Sequence, residues 1–307
     1  MQTKIKTESA NITIAEDFAG QRVDNFLFNK LKNIPKTRIY KMVRKGEVRV
    51  NKRRVSAFYK LQADDVLRLP PFWSDATEAP RRPTDKVVHS LDDKIIYEDD
   101  ALLIINKPSG MASHGGSGIS FGVIETLRHA RPEIKNLELV HRLDRDTSGC
   151  LVLAKKRSAL RALHELIRNG AITKQYVLLV KGKWQGDERK VDLPLLKNQL
   201  SSGERIVRVN SEGKDSITIF RPREVYADSS LIEAELRTGR THQIRVHAAH
   251  IGHPIAGDEK YGDKEFNQEM KSRGLKRLFL HAERIAFTLP NGRKIDIKAK
   301  LDDVFSS

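Results

Sequence analysis

Apolar side chains recur along this chain at two periods, and the change from one to the other divides it. Early on the period is helical. Val23, Phe26, Leu27 and Leu31 share one face of a helix predicted over 21–31. Pro35 interrupts it, and Ile39, Met42 and Val43 form the stripe of a second helix predicted over 36–45, which Gly46 stops. A strand over 47–50, a basic turn at Asn51-Lys52-Arg53-Arg54 and the apolar Val66, Leu67 and Leu69 complete a small unit before Pro70-Pro71. Residues 72–90 mix Pro, Ser, Thr and charge without a period and predict a linker.

From Asp92 onward the period is mostly two. Strands are predicted over 94–97 and 102–106. The runs over 150–154 and 176–180 are continuously apolar, as in central strands. Alternating segments over 205–209, 216–220 and 231–236 read as antiparallel strands, with late strands over 279–286 and 294–299. Helices are predicted over 121–130, capped by Ser120, over 158–168, and over 242–250. Strand runs with scattered helices imply an α+β fold around a mostly antiparallel mixed sheet. The division expected is a tail (1–19), a small unit (20–83), a linker (84–91) and a large unit (92–307).

Charge changes the picture more than size does. The formal net charge is +16, which favours a polyanionic partner. Residues 20–70 carry 14 Lys/Arg against 4 Asp/Glu, so this sixth of the chain holds most of the excess. Arg38, Lys41, Arg44 and Lys45 follow helical spacing and point one way, and Lys52, Arg53 and Arg54 extend them into the turn. An isolated run of this kind is a solvated helix face; joined to a basic turn it implies RNA binding. Aromatics, at 6%, are too few for a long stacking platform. No apolar run is long enough to span a membrane, the N-terminus lacks a signal-peptide pattern, and the lone Cys150 excludes an internal disulfide. A soluble protein of a reducing, cytoplasmic compartment is expected, as a monomer.

The chemistry concentrates in His141-Arg142-Leu143-Asp144-Arg145-Asp146-Thr147-Ser148-Gly149. Taken alone, this is a salt-bridged turn whose Gly149 allows a tight bend. It resembles the HRLDxxTSG motif of pseudouridine synthases, in the family that includes ribosomal large subunit pseudouridine synthases A, C and D. Three further segments agree in order. Asn106-Lys107-Pro108-Ser109-Gly110 with His114 resembles the family's KPxG…H segment. Lys174-Gln175-Tyr176 resembles its KxY motif, and Arg237 to Arg245 (RTGRTHQIR) its late arginine motif. Leu278 to Ala282 matches an LxLHA strand. Leu178 departs from the usual alanine of KxYxA, which alters packing rather than chemistry. The small unit is similar to the S4 RNA-binding module, so the resemblance spans nearly the whole chain.

The resemblance implies an RNA enzyme that detaches uracil from C1′, rotates it and rejoins it through C5, in large-subunit (23S) ribosomal RNA. No atom or electron is gained, so no cofactor and no metal are expected. Asp144 becomes the catalytic carboxylate, as nucleophile or as general base. Arg245 is its ion-pair partner, and Tyr176 contacts the base and is a candidate proton acceptor. Arg142, His114, Ile244 and Leu280 are assigned to the substrate, whose target base must be flipped out. Asp146 occupies a variable position and is set aside.

Rival readings remain on the residues. Transfer RNA is an alternative substrate, and a non-catalytic RNA-binding assembly factor is an alternative class, opposed by the retention of Asp144, Tyr176 and Arg245 together. The glycine loop at Gly110 could cradle a phosphate but lacks the GK[ST] ending of a nucleotide loop. His242, His247, His250 and His253 suggest a metal, yet no carboxylate or Cys completes a zinc set, and packing is the expectation.

Overall fold

A computed structural model describes residues 4–31, 34–75, 83–116, 121–199 and 205–301. The chain forms two compact units, 1–82 and 83–307.

The first unit contains β1 (Lys4–Thr7), β2 (Ala10–Thr13), α1 (Val23–Lys30), α2 (Lys36–Arg44), β3 (Arg49–Val50), β4 (Val66–Leu69) and β5 (Phe72–Asp75). Both helices bury the predicted stripes. Phe26, Leu27, Ile39, Met42 and Val43 pack with Val48, Leu61 and Leu67 in one core. Burying side chains of this size contributes about 1.5–3 kcal/mol each, which lets so small and charged a unit hold together. Two expectations change. Part of the expected tail is structural: β2 pairs with β4, and Ile14 enters the core. Residues 72–75, read as linker, form β5 and pair with β1. Four-residue strands carry too few alternations to be read locally, so their partners define them. Residues 76–82 of the expected linker lie outside the described residues.

The second unit opens with α3 (Asp85–Asp92), β6 (Ile95–Glu98), β7 (Leu102–Lys107), α4 (Val123–Ala130), β8 (Glu138–Leu139), β9 (Ser148–Ala154), α5 (Arg157–Arg168) and β10 (Thr173–Lys181). Then follow β11 (Arg189–Asp192), β12 (Leu195–Gln199), β13 (Arg205–Val209), β14 (Ile217–Val225), β15 (Ser229–Leu236), α6 (Gln243–His250), α7 (Lys264–Ser272), β16 (Leu280–Thr288) and β17 (Lys294–Lys298). The expected linker at 84–91 is therefore helix α3. Its Leu91 sits in the large core, and Asp92 pairs with Arg131 at the end of α4. Strands β11 and β12 and helix α7 were not predicted. Helix α7 is capped by Asp263, whose side chain accepts Phe266 N–H, and it buries Phe266 and Met270 one turn apart. Ser120, the cap expected for α4, lies outside the described residues; Glu125 instead accepts the N–H of Gly122.

One mixed sheet organises this unit, in the order β11-β14-β15-β10-β16-β9-β7-β6, with β17 beside β16 and β8 beside β9. The described pairings are antiparallel except β9 with β16. That parallel junction positions the site. Gly149 faces Ala282 across it with φ +107°, and a Cβ there would lie 2.3 Å from Ala282 O. Only glycine allows this approach. It pins the loop that precedes β9 against the start of β16. Among the described residues no helix is long and apolar enough to cross a membrane.

Candidate active site

The loop between β8 and β9 carries Asp144, and a second segment cradles it. Lys107, at the end of β7, is wholly buried. Its ammonium donates to the carbonyls of Pro108 (2.9 Å), Met111 (2.7 Å) and Arg145 (2.9 Å). Ser109 Oγ donates to Asp146 O, while Ser113 Oγ donates to Leu143 O and accepts Leu143 N–H. The segment read as a possible phosphate cradle thus turns its polar groups inward, onto the loop of Asp144. Burial pushes the Lys107 ammonium down to about 7, against the pull of Asp146 and Asp144. Three carbonyl acceptors match its three donors. On the β9 side, Ser148 Oγ meets His281 Nδ1 at 2.9 Å and accepts from Arg277.

His141 begins the motif and serves the fold. Val152 N–H donates to its Nε2 at 3.2 Å, which requires the neutral ring. Burial, then Lys174, push its basicity down to about 4. An unfolded histidine protonates near 6.5. The unfolded chain therefore binds more protons between these values. Stability is full above about pH 6.5 and falls as pH drops toward 4. The whole gap is worth on the order of 3 kcal/mol, an upper bound for a partly exposed ring. Urea titrations at pH 7.5 and 4.5 check this: His141→Gln should lose less stability between the two than wild type, and equal losses would remove His141 from the account.

Asp144 is 28% exposed, less enclosed than a buried catalytic pocket suggests. Its Oδ2 accepts from Arg245 Nη1 at 3.3 Å. The expected pair therefore forms, but it is the weaker of two. Arg245, on α6, is gripped by Asp258, with Nε to Oδ2 and Nη2 to Oδ1 both at 2.8 Å. Asp258 is almost fully buried and also accepts the N–H groups of Lys260 and Tyr261. Burial alone would raise its carboxyl; the Arg245 guanidinium holds it below the usual range. Burial likewise opposes the Arg245 charge, and the two carboxylates outweigh it. Asp258 escaped the sequence reading because its role depends on a residue thirteen positions earlier. The available signal was its setting: Gly257, where a Cβ would strike Arg277 O, and Gly262 flank a turn holding Asp258 and Tyr261.

Asp144, Arg142, Tyr176, Arg245, Ile244 and Leu280 line one cavity of about 700 Å³. Tyr176 on β10 and Leu280 on β16 are neighbours through Leu178, which pairs with Leu280 and packs in the same core. Burial, reinforced by Asp144, pushes the Tyr176 phenol upward. It rests neutral, which suits a stacking surface and hydrogen-bond donor. His114 lies on the exposed rim, where Arg142 Nη1 donates to its Nε2 at 3.0 Å. Three of the four histidines have separate partners. His242 meets Tyr261, His247 meets Thr218 and Leu193 O, and His253 meets Lys181 O. Among the described residues no group of three His, Cys, Asp or Glu side chains is placed to hold a metal.

On the first unit, Lys41, Arg44, Lys45, Lys52, Arg53 and Arg54 are exposed. Arg38, on the same helix, pairs with Glu47 at 2.9 Å. Asn51 and Lys52 adopt left-handed backbone, and Asn51 ties the basic turn to Asp65 and Val66.

Residues 21–67 match the S4 domain, and residues 101–250 match the family described as RNA pseudouridylate synthase. The chain is 56% identical over 293 residues to ribosomal large subunit pseudouridine synthase C of Haemophilus influenzae, covering 95% of this chain and 91% of that protein. It is 54% identical over 306 residues to the synthase of the same name from Escherichia coli strain K12, covering 97% and 96%. Among solved structures, human RNA pseudouridylate synthase domain containing 4 superposes with a TM-score of 0.60 at 26% identity, over 72% of this chain and 93% of that one. With Asp144, Tyr176 and Arg245 gathered in one cavity, and an S4 domain preceding them in the sequence, the chain belongs to the RNA pseudouridylate synthase family.

Proposed function

We propose that this chain isomerises uridines of large-subunit ribosomal RNA to pseudouridine in the cytoplasm, with Asp144 as the catalytic carboxylate. The observation that carries the reading is the meeting of Asp144, Arg245 and Tyr176, distant in sequence, in one cavity. The target uridine leaves the RNA stack and enters there. Tyr176 offers its ring face to the uracil, and Leu280 and Ile244 exclude water beside it. Asp144 acts on the sugar or base to release N1 from C1′. Arg245, held by Asp258, keeps a positive charge beside the carboxylate through the reaction. After rotation C5 bonds to C1′, the C5 proton is lost and N1 gains one, so the atoms balance without a cofactor. The exposed cations of the S4 domain bind phosphates, which position the RNA rather than read its sequence.

The test is a pseudouridine map of large-subunit ribosomal RNA from cells with and without the gene, rescued by wild type or Asp144→Asn. Sites that vanish and return only with wild type are expected. An unchanged map would overturn the ribosomal assignment, and transfer RNA mapped alongside would reveal the alternative substrate.

A further inference from the structure

Two side chains approach the same oxygen of Asp144. Arg245 Nη1 lies 3.3 Å from Oδ2, and His242 Nε2 lies 3.8 Å from it. His242 reaches this position through an unusual backbone, with φ 54° and ψ 19° immediately before α6. Left-handed backbone is uncommon outside glycine and collects where a side chain must be aimed. The ring is largely enclosed, at 16% exposure. Its other nitrogen, Nδ1, lies 2.8 Å from Tyr261 Oη, with the rings edge to face at 5.5 Å.

Tyr261 is itself held on three sides. Its hydroxyl accepts Val207 N–H at 3.0 Å, its backbone N–H donates to Asp258, and the Arg245 guanidinium lies 5.1 Å over its ring. Since the hydroxyl oxygen accepts from Val207, its own proton is available to Nδ1. That leaves the proton of the neutral imidazole on Nε2, the side facing Asp144. Burial is the largest influence on His242 and keeps it neutral, with Arg245 and Lys260 acting in the same sense and Asp144 and Asp258 opposing.

We propose that His242, aligned by Tyr261, is a positioning residue for Asp144: with Arg245 it clamps Oδ2, so that Oδ1 is the oxygen presented to the nucleotide. A neutral N–H suits this task. It orients the carboxylate without a second full positive charge, which would blunt a nucleophile or base already beside Arg245. The 3.8 Å gap exceeds a hydrogen bond and closes when the nucleotide enters, as contacts in empty sites commonly tighten on binding.

The proposal rests on Asp144 being the reactive carboxylate, so Asp144→Asn is assayed alongside. Full-length variants are measured by single-turnover conversion of a large-subunit RNA transcript, read as a maximal rate and a half-saturating concentration. Asn tolerates left-handed backbone, so His242→Asn preserves the turn while its amide falls short of Asp144. Its maximal rate should fall on the order of ten- to a hundredfold, the scale of orienting contacts, with half-saturation unchanged. His242→Gln, whose Nε2 reaches further, should recover part of the loss. Tyr261→Phe should slow turnover less, and the double variant His242→Asn/Tyr261→Phe should be no slower than His242→Asn, because Tyr261 acts through His242. Wild-type rates in His242→Asn, a loss confined to half-saturation, or multiplying losses in the double variant would each overturn the proposal. Activity surviving in Asp144→Asn would instead overturn the reading of the site beneath it.

Discussion

Asp144→Asn is expected to abolish turnover, by about 10⁴-fold or more, the upper range for a single proton-transferring group and a minimum for a nucleophile. The amide keeps the shape of the carboxylate and can still accept from Arg245, but it can neither attack carbon nor take a proton. RNA affinity should stay within about threefold, because phosphate contacts dominate binding and the substituted group is acidic. Stability should barely change: the side chain is 28% exposed, and Arg245 retains both bonds to Asp258. Filter binding and single-turnover assays on one preparation separate these outcomes. Conversion within tenfold of wild type would remove Asp144 from its role. Lost binding would make it a contact residue.

The second large effect falls on stability. Asp258→Ala should destabilise its unit by about 3–5 kcal/mol, because the Arg245 guanidinium, itself buried, would lose both short bonds. The turn at Lys260 and Tyr261 loses two acceptor contacts in addition. Arg245→Ala should cost a similar amount by stranding Asp258. The double variant Arg245→Met/Asp258→Leu should recover much of the loss while remaining inactive, since apolar replacement of a buried pair relieves desolvation on both sides. Chemical denaturation followed by fluorescence measures all three. A loss below about 1 kcal/mol in Asp258→Ala would mean that water or another acceptor replaces the carboxylate.

These outcomes separate what is written locally from what is not. The helices at 23–30 and 36–44 and the central strand at 148–154 were legible because periodicity and continuous apolar runs are properties of neighbours. The resemblance of four short motifs to those of a known family pointed to Asp144, Tyr176 and Arg245. Strands β2 and β5 were not legible, since four residues of mixed polarity take their identity from a partner. Helix α3 has one fully buried apolar anchor, Leu91, and its surroundings resembled a linker.

At the site the same division holds. The resemblance of short motifs pointed to a carboxylate, a tyrosine and an arginine, and charge placement by itself pointed to a basic module before them. Only the tertiary structure decided their order of dependence. Lys107 was a motif letter until three carbonyls, two from the turn that follows it and one from the loop of Asp144, surrounded its ammonium. Asp258 was a turn residue until it gripped Arg245, and His242 a helix residue until its backbone turned left-handed beside Asp144. Burial decides which charges must be paired and which protons a group keeps. Burial is created by chain segments far apart in sequence, so no local pattern records it.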